Sequence, residues 1–250
     1  MEKVLGIDIG GSGVKGAPVN VASGEMLAER FRLPTPTPST PKAVARTVVE
    51  IKEHFGWQGP IGCGYPGVVR HGVTWTASNM DKKWIGSAAK DVFTEIIADA
   101  SSPVEIINDA DAAGLAEMHF GAGRGRNGVV MIITIGTGIG TALFTNGHLV
   151  PNLELGHMEV NGYEAEPRIS DAVRQRDGLS WKKWGQRFNE YLHAVHKYFW
   201  PDLIILGGGG SKKVDKFMPY IDVPIEIIPA QMLNDAGIIG AALAFDQDIC

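Results

Sequence analysis

The sequence predicts an α/β protein with two related halves that face each other across a cleft. Short apolar runs typical of buried strands alternate along the chain with segments whose apolar residues recur at helical spacing. Two segments that read as strand, glycine turn and strand are also similar in sequence: IDIGGSGVKG and ITIGTGIGTA align with Asp8 over Thr134. The second half of the chain therefore repeats the plan of the first, with one glycine turn from each half expected to point into the cleft.

The first half begins with a hairpin over 4–19, in which Gly10, Gly11 and Gly13 form the turn. The proline-rich stretch 33–41 must be extended or looped, because proline lacks an N–H donor and restricts the residue before it. The spacing of apolar residues then predicts a helix over 43–55, strands over 61–69 and 73–75, a helix over 88–98, a strand over 104–107 and a helix over 110–120.

The second half follows a flexible basic loop at 121–128 and begins with a strongly apolar strand over 129–135. The glycine turn 136–140 interrupts this pattern, which resumes over 141–144, and Asn146-Gly147 is a hairpin turn signal. The remaining predictions are a helix over 181–199, a strand over 203–206 that ends in the glycine run 207–210, a strand over 225–228 and a helix over 237–245.

Composition and charge narrow the class of protein. Of the 250 residues, 44% are hydrophobic and 20% are charged, which is typical of a globular chain with a real core. The 32 glycines are about twice the usual share of roughly 7%. A net charge of −5 argues against a general nucleic-acid-binding role.

The number of cysteines and the length of the apolar runs indicate the cellular compartment of the protein. Cys63 and Cys250 are far apart and form no CxxC motif, which argues against a disulfide framework and a cysteine zinc site. No apolar run reaches the ~18 residues of a membrane span, and the first residues lack the layout of a signal peptide. We therefore expect a cytoplasmic protein without a membrane partner.

The two glycine turns are candidate phosphate sites. Successive backbone N–H groups can hold an anion, and glycine lets the backbone approach it closely. Neither turn is a Walker A loop, and both lead into a strand rather than the helix of a dinucleotide fingerprint. Either turn alone could simply reverse the chain. As a matched pair, with Asp8 at the first, they favour phosphate binding, and the run 207–210 is a further place where a ligand could approach or a helix could pack.

Several polar residues stand at places where chemistry is possible. Asp109, between a predicted strand and a predicted helix, could be a general base or a helix cap, and the spacing does not separate it from its rival Asp111. Glu154 and His157 could converge on sugar hydroxyls, although a lone histidine is also a common structural residue. Asn79 could recognise a hydroxyl or form a turn. The recurring basic pairs could be solvated surface or could line a groove for a long polyanion.

Five motifs in order carry a family resemblance: DIGGSGVKG, INDADAAGLAE, TIGTGIG, ELGH and LGGGGSK. Together they resemble the ROK sugar kinases of the actin-like ATPase superfamily, over nearly the whole chain. Within that family LPTPTPSTP, SNMDKKWIG, GLSWKKW and NDAGIIGAA are similar to the polyphosphate glucokinases. The resemblance implies an actin-like ATPase (ribonuclease H-like) fold, with two α/β domains around a central cleft. The expected domains are a small N-terminal one of residues 1–108 plus 237–250, which includes a returning C-terminal helix, and a large C-terminal one of residues 109–236.

The resemblance also implies an activity: transfer of a phosphoryl group from inorganic polyphosphate to the 6-hydroxyl of glucose, which gives glucose 6-phosphate for glycolysis. Asp109 would be the general base. The implied sugar-binding residues are Asn79, Asn108, Asp109, Glu154, His157 and Glu166, with Glu164 as the fallback for Glu166. The implied phosphate-binding residues are Asp8, Gly10, Gly11, Ser12, Lys15, Thr137, Gly138, Gly208 and Gly209. Asp8 would hold Mg²⁺ through its water shell.

One departure from the family concerns zinc. Many ROK proteins carry a CxCGxxGCxE zinc motif, whereas the stretch HMEVNGYEAEPRIS contains no cysteine, so we expect no structural zinc. Glu166 is assigned to the last position of that motif because Ser170 keeps the E-x-x-x-S spacing.

Two other functions stay open at this point. The first is an ATP-dependent or dual-donor glucokinase or glucomannokinase, because both donors present the same terminal phosphate. The second is a non-catalytic sugar sensor, against which Asp109 and the two glycine turns argue. ROK repressors carry an N-terminal helix-turn-helix, and because only seven residues precede Asp8 in this sequence we expect no such domain. The resemblance suggests a homodimer that binds no nucleic acid.

Overall fold

The computed structural model describes residues 2–245 and contains 15 strands and nine helices within that range. The strands are β1 (Lys3–Ile9), β2 (Val14–Asn20), β3 (Glu25–Met26), β4 (Phe31–Leu33), β5 (Ile61–Tyr65), β6 (Val69–Arg70), β7 (Val73–Thr74), β8 (Val104–Asn108), β9 (Val129–Ile135), β10 (Ile139–Thr145), β11 (His148–Val150), β12 (Glu159–Val160), β13 (Tyr163–Glu164), β14 (Leu203–Gly207) and β15 (Glu226–Pro229). The helices are α1 (Pro41–His54), α2 (Ala89–Ile97), α3 (Asp109–Phe120), α4 (Glu166–Ile169), α5 (Asp171–Arg176), α6 (Trp181–Phe199), α7 (Gly208–Ser211), α8 (Val214–Phe217) and α9 (Ala236–Ala242). Short 3₁₀ turns cover Lys82–Trp84, Leu155–His157, Met218–Tyr220, Leu233–Asp235 and Leu243–Phe245.

The described chain divides into two compact units. The first contains residues 2–120 and 235–245, and the second contains residues 121–234. The expected boundary after Asn108 therefore differs from this division by one helix. Helix α3 belongs to the first unit because it packs closely on α9: a Cβ on Gly240 would lie 1.6 Å from the carbonyl oxygen of Ala112. The end of the expected returning helix, residues 246–250 with Cys250, lies outside the described residues.

The two units share a five-strand sheet topology, to which the first unit adds a sixth strand, β4, that also pairs with β2. In the first, the strand order is β3-β2-β1-β5-β8, with β1 antiparallel to β2 and parallel to β5. In the second, the order is β11-β10-β9-β14-β15, with β9 antiparallel to β10 and parallel to β14. The repeat predicted from the two glycine segments is therefore confirmed at the level of architecture.

The two hairpins differ by one residue, which an ungapped alignment does not show. Ile9 pairs with Val14, so the first turn has the four residues 10–13. Ile135 pairs with Ile139, so the second turn has the three residues 136–138. Strand β10 consequently starts two residues before the predicted position 141. The Asn146-Gly147 turn is confirmed, since both residues have the positive φ of a tight hairpin, 51° and 84°.

Each unit has a hydrophobic core of its own. In the first unit, alternate residues of β1 (Leu5, Ile7 and Ile9) are fully buried in one cluster with the apolar faces of α1 and α2. In the second unit, α6 buries Trp184 and Phe188 among apolar residues of β9 and β14. The helix over 181–199, predicted from these aromatic residues, is confirmed with the same bounds. None of the described helices is long and apolar enough to cross a membrane.

Glycines on the opposite face of the first sheet let α9 approach the strands. A Cβ on Gly6 would lie 2.0 Å from the carbonyl oxygen of Ile238, and a Cβ on Gly62 would lie 1.8 Å from that of Ala241. These distances leave no room for any side chain, so the helix backbone lies directly on β1 and β5.

This packing predicts a stability difference between two glycines of one strand. Gly62→Ala places a methyl group on the backbone of α9 and should lower the free energy of unfolding by about 2 kcal/mol or more. Gly64→Ala is the matched control, since its Cβ would lie at an ordinary 3.5 Å from the Cα of Asp109. We expect it to change the free energy of unfolding by less than about 1 kcal/mol. Chemical denaturation checks this, and equal losses in the two variants would contradict the close contact with α9.

Candidate active site

The first glycine turn has an ion pair at its base. Asp8 is the last but one residue of β1 and pairs across the hairpin with Lys15 of β2. The Lys15 ammonium lies 3.0 Å from Oδ2 of Asp8, and both side chains remain partly exposed. The N–H of Gly10 donates to the carbonyl oxygen of Gly13 at 3.0 Å and closes the turn. The structure thus brings together the phosphate-binding residues predicted at this turn.

The parallel strands place Asp109 at the same edge of the sheet as Asp8. Gly64 of β5 is the register partner of Asp8, and neighbouring strands lie about 4.8 Å apart. A Cβ on Gly64 would lie 3.5 Å from the Cα of Asp109, at the start of α3. Both carboxylates therefore lie at the carboxyl ends of parallel strands, where open α/β sheets bind their ligands.

Asn108, rather than Asp109, is the residue that caps α3. Its Oδ1 accepts hydrogen bonds from the N–H groups of Ala110, at 2.9 Å, and Asp111, at 3.0 Å. Its amide nitrogen donates to the carbonyl oxygen of Gly67 at 3.0 Å, and the residue is buried. The sequence-based alternative of Asp109 as the helix cap is therefore wrong. The amide of Asn108 is fixed by these contacts, so its predicted contact with a sugar would be made by a rigid group.

Burial separates Asp109 from its rival Asp111. Asp111 faces the packed side of α3 and is 2% exposed, whereas Asp109 is only half-buried. Burial raises the pKa of the Tyr65 phenol, and the negative charge of Asp109 raises that pKa further, so the Asp109 carboxylate lies near this ring. A base that takes a proton from a substrate must be reachable by it, which favours Asp109.

Asn79 lies against the first glycine turn. A Cβ on Gly11 would lie 3.3 Å from the Cβ of Asn79, whose side chain is exposed. The loop that carries Asn79 is anchored by the buried side chain of Met80. The Lys82 ammonium also donates to the carbonyl oxygen of Ala77 at 3.0 Å. A residue predicted to bind sugar and a turn predicted to bind phosphate are thus adjacent in the first unit.

The proline-rich segment holds both of these loops. Thr35 donates from its hydroxyl to the carbonyl oxygen of Gly10. Ser39 accepts the N–H of Asp81 at 3.0 Å on its hydroxyl and the indole N–H of Trp84 at 2.7 Å on its carbonyl oxygen. The sequence predicted only that this segment is extended or looped, and its role in fixing the site comes from the structure.

Arg32 also contacts the first turn, a role that the sequence did not predict. The residue lies in β4, where it pairs with Lys15 of β2, and its guanidinium donates to the carbonyl oxygen of Ser12 at 2.7 Å. The signal available was the alternation of Phe31, Arg32 and Leu33, which is too short to identify an edge strand or its register.

In the second unit, Glu166 lies against the second glycine turn. The N–H of Gly136 donates to the carbonyl oxygen of Gly138 at 2.9 Å, and the N–H of Ile139 donates to Oε2 of Glu166 at 2.8 Å. A Cβ on Gly138 would lie 2.4 Å from that oxygen, so only glycine leaves space for the carboxylate. The structure therefore brings a predicted sugar-binding carboxylate next to the predicted phosphate turn at Thr137 and Gly138.

His157 pairs with Glu164, the fallback for Glu166. The hydrogen bond from Nδ1 of His157 to Glu164 raises the pKa of the imidazole, partial burial opposes the rise, and the charges of Glu164, Glu166 and Glu154 add to it. Glu164 and Glu166 therefore both raise the pKa of His157. Glu164 does so mainly through its hydrogen bond, whereas Glu166 acts through its charge and itself accepts the N–H of Ile139.

The segment that carries Glu154 and His157 is anchored on β10. The hydroxyl of Thr141 donates to the carbonyl oxygen of Leu153 at 2.7 Å and accepts the N–H of Leu155 at 3.1 Å. A Cβ on Gly156 would lie 2.4 Å from the carbonyl oxygen of Ile139, so the 3₁₀ turn Leu155–His157 lies directly on the strand that follows the second glycine turn.

Gly208 and Gly209 lie at the end of β14, next to β9. Gly208 has a φ of 76°, and a Cβ there would lie 2.5 Å from the carbonyl oxygen of Ile135. A Cβ on Gly209 would meet nothing within 4 Å, and both glycines are exposed. In the second unit, this predicted donor-approach turn is therefore adjacent to the second glycine turn.

Asp8 is the residue of the first turn that could hold a metal ion. Within residues 2–245 no group of three or more His, Cys, Asp or Glu side chains is arranged to hold a metal ion. Mg²⁺ needs no such group, because it commonly binds through one or two carboxylates, several waters and the substrate phosphates. Asp8 supplies a partly exposed carboxylate beside the first turn, so this chemistry fits Mg²⁺.

Comparison with known proteins identifies the family. Residues 4–174 match the model of the ROK family. The chain is 48% identical over 244 residues to the polyphosphate glucokinase of Mycobacterium tuberculosis, covering 98% of this chain and 91% of the relative. It is 45% identical over 245 residues to the polyphosphate glucokinase of Mycobacterium leprae, covering 98% and 75%.

A solved structure supports the same assignment. The inorganic polyphosphate/ATP-glucomannokinase from Arthrobacter sp. strain KM superposes with a TM-score of 0.91 at 44% identity, covering 97% of this chain and 98% of the other. The predicted actin-like ATPase fold is thereby confirmed.

The His157–Glu164 pair predicts a pH dependence. Because folding raises the pKa of His157, the pair stabilises the protein fully below the unfolded-state pKa, ordinarily 6.5. That contribution is lost as the pH rises through the folded-state pKa. An NMR titration of His157 should give a pKa above 6.5 that falls in Glu164→Gln. The control is Glu159→Gln, which removes the glutamate paired with Glu164 across the two-stranded sheet and should leave the titration unchanged. Equal shifts in the two variants would contradict the pairing.

Proposed function

Since the chain belongs to the ROK family, we propose that it transfers a phosphoryl group from inorganic polyphosphate to the 6-hydroxyl of glucose, giving glucose 6-phosphate. The observation that carries the proposal is the edge of the first sheet, where the Asp8–Lys15 turn at the end of β1 and half-buried Asp109, just after β8, lie on either side of β5. A general base and a phosphate cradle are the two parts that this reaction asks of the protein.

In the proposed mechanism, Asp109 orients the 6-hydroxyl and accepts its proton as the oxygen attacks phosphorus. The new O–P bond forms, the bond to the next phosphate breaks, and the shortened polyphosphate leaves with the electron pair. The amides of the two glycine turns, with Lys15, hold the oxygens of the transferred group in line. Most of the rate enhancement then comes from position and charge rather than from covalent chemistry.

Asp8 would hold Mg²⁺ through its water shell. When bound there, the ion would supply positive charge to the phosphate oxygens. This role matches the place of Asp8 beside the turn and its partial exposure. The hydrogen bond from the Lys15 ammonium holds the Asp8 carboxylate at the base of the turn.

The proposed sugar-binding residues of the first unit are Asn79, Asn108 and Asp109, and those of the second unit are Glu154, His157 and Glu166. Amide, imidazole and carboxylate groups suit hydroxyls, because together they offer both donors and acceptors. The contacts of Asn108 with α3 and of Glu166 with Ile139 hold two of these groups in place before the sugar arrives.

A second candidate is a kinase that also accepts ATP or mannose. The name of the Arthrobacter enzyme includes both donors and both sugars. Gly208 and Gly209 present exposed backbone beside the second turn, where a nucleotide could approach. A non-catalytic sensor is disfavoured, because an accessible Asp109 and two intact glycine turns serve phosphoryl transfer. The homodimer and the cytoplasmic location remain parts of the proposal, which rest on the resemblance and the cysteine content.

The donor is the first thing to measure. With Mg²⁺ and glucose, we expect initial rates of glucose 6-phosphate formation to be higher with polyphosphate as the sole donor than with ATP. The reverse order would make the protein an ATP glucokinase, and no product with either donor would contradict the proposed activity.

The base assignment predicts a difference between two neighbouring aspartates. Asp109→Asn should lower kcat by a factor on the order of 10²–10⁴, with a much smaller change in glucose affinity, because the proton acceptor is lost while hydrogen-bonding groups remain. Asp111→Asn changes a buried carboxylate and should lower stability more than kcat of the folded enzyme. Steady-state kinetics and thermal unfolding of both variants check this, and an active Asp109→Asn beside an inactive, folded Asp111→Asn would reverse the assignment.

A further inference from the structure

Arg32 lies at the first glycine turn and has no place in the mechanism above. Strand β4 pairs with the edge of β2 and puts Arg32 opposite Lys15. The guanidinium donates to the carbonyl oxygen of Ser12 at 2.7 Å, and the side chain is otherwise exposed. The residue therefore adds a cation to the turn predicted to hold phosphate.

Two neighbouring cations, one on β2 and one just before β4, are already neutralised. The Lys15 ammonium pairs with Asp8 at 3.0 Å, and the Arg30 guanidinium, two residues before Arg32, pairs with Asp235 at 2.8 Å. Within residues 2–245, by contrast, no carboxylate forms an ion pair with Arg32. A guanidinium has five N–H donors, and the Ser12 carbonyl oxygen takes only one of them.

The turn leaves room for this guanidinium. A Cβ on Gly13 would lie 2.6 Å from Nε of Arg32 and 2.7 Å from its central carbon. Any side chain at position 13 would therefore push the guanidinium away from the turn. Gly13 also closes the turn by accepting the N–H of Gly10, so the same glycine serves the backbone and the arginine.

We propose that Arg32 is a donor-binding residue, which contacts the phosphate groups that follow the one being transferred. This inference rests on the proposed function. Polyphosphate carries negative charge along its whole length, and the neutral pair of Lys15 and Asp8 adds little net charge at the turn. A planar guanidinium can bind two phosphate oxygens at once, which suits a chain of phosphates better than a single amide does.

A purely structural role for Arg32 makes different predictions. Pinning the turn needs only an N–H donor to the carbonyl oxygen of Ser12, which a glutamine can supply without charge. Binding the donor needs the charge, which a lysine retains without the planar fork. Arg32→Gln and Arg32→Lys therefore separate the two roles, and Arg30→Gln is the matched control, because it removes an arginine of the same edge that is already paired.

The kinetic test uses the full chain with Mg²⁺, glucose and polyphosphate. We expect Arg32→Gln to raise KM for polyphosphate on the order of 10-fold, as loss of one charged hydrogen bond does. KM for glucose should change less than about twofold, Arg32→Lys should fall between wild type and Arg32→Gln, and Arg30→Gln should match wild type. Added salt should shrink the difference between wild type and Arg32→Gln, since it screens the charge.

A binding measurement tests Arg32 independently of turnover. Calorimetry with inorganic tripolyphosphate should show weaker binding by Arg32→Gln than by Arg30→Gln at unchanged thermal stability. Equal affinities of these two variants, or no binding by wild type, would overturn the inference. Equal losses in Arg32→Lys and Arg32→Gln, accompanied by lower stability, would also overturn it in favour of the structural role. Wild type that forms no product from polyphosphate contradicts the proposed function instead, and the calorimetric comparison still decides the role of Arg32.

Discussion

The contact of α9 with β1 and β5 depends on strand positions that have no side chain. Gly6 and Gly62 let the helix backbone rest on the sheet, and the alternation of strand residues puts Asp8 and Gly64 on the same face, two residues further on. Asp8 therefore lies at the beginning of α9, where a Cβ on Gly237 would be 3.1 Å from its Cγ. One face of β1 and β5 thus packs against α9 along most of its length and forms part of the candidate active site at the carboxyl ends of the strands.

The second unit also has a carboxylate beside its glycine turn, but a different part of the chain supplies it. Its hairpin has the topology of the first, but Thr134 stands where the first has Asp8, and the turn is one residue shorter. The carboxylate next to this turn comes from Glu166, which accepts the N–H of Ile139. Glu166 is also a proposed sugar ligand, so in this unit a group proposed for sugar is hydrogen-bonded to the residue directly after the turn proposed for phosphate. In the first unit, the contact between Asn79 and Gly11 joins them.

The sequence predicted the longer elements and the repeat well, because both rest on local patterns, but it missed short elements such as β3, β4 and α5 and extended β5 from Tyr65 to residue 69. Apolar spacing identified α6 with its bounds, and the similar glycine segments predicted two sheets of one topology. The pattern did not show the one-residue difference between the turns, since glycine and small residues give no register. It also left Asp109 and Asp111 equivalent, because they differ in burial, which depends on tertiary packing rather than on spacing.

The roles of Asn108 and Arg32 were missed for a related reason. Capping of α3 by Asn108 depends on where the helix begins, and a shift of one residue exchanges the cap with the first helical position. Arg32 acts through a short edge strand whose partner lies 17 residues earlier in the chain, a pairing that no local pattern encodes. Local patterns therefore predict which strands, turns and helices form the site. The exact start of α3 and the pairing of β4 with β2 depend on tertiary structure that local patterns do not show.

The balance of charge at this edge explains how an extra cation would favour donor binding. A base that takes a proton from a sugar must be an anion, and a phosphate donor is an anion too, so the two repel when they meet at one edge of a sheet. Asp8 adds a second carboxylate there, and its pairing with Lys15 cancels that charge without leaving a surplus. The glycine turns supply only partial positive charge from their amides. A cation with no carboxylate of its own would add to the charge that Mg²⁺ supplies when bound, and at the first turn Arg32 is such a cation among the described residues.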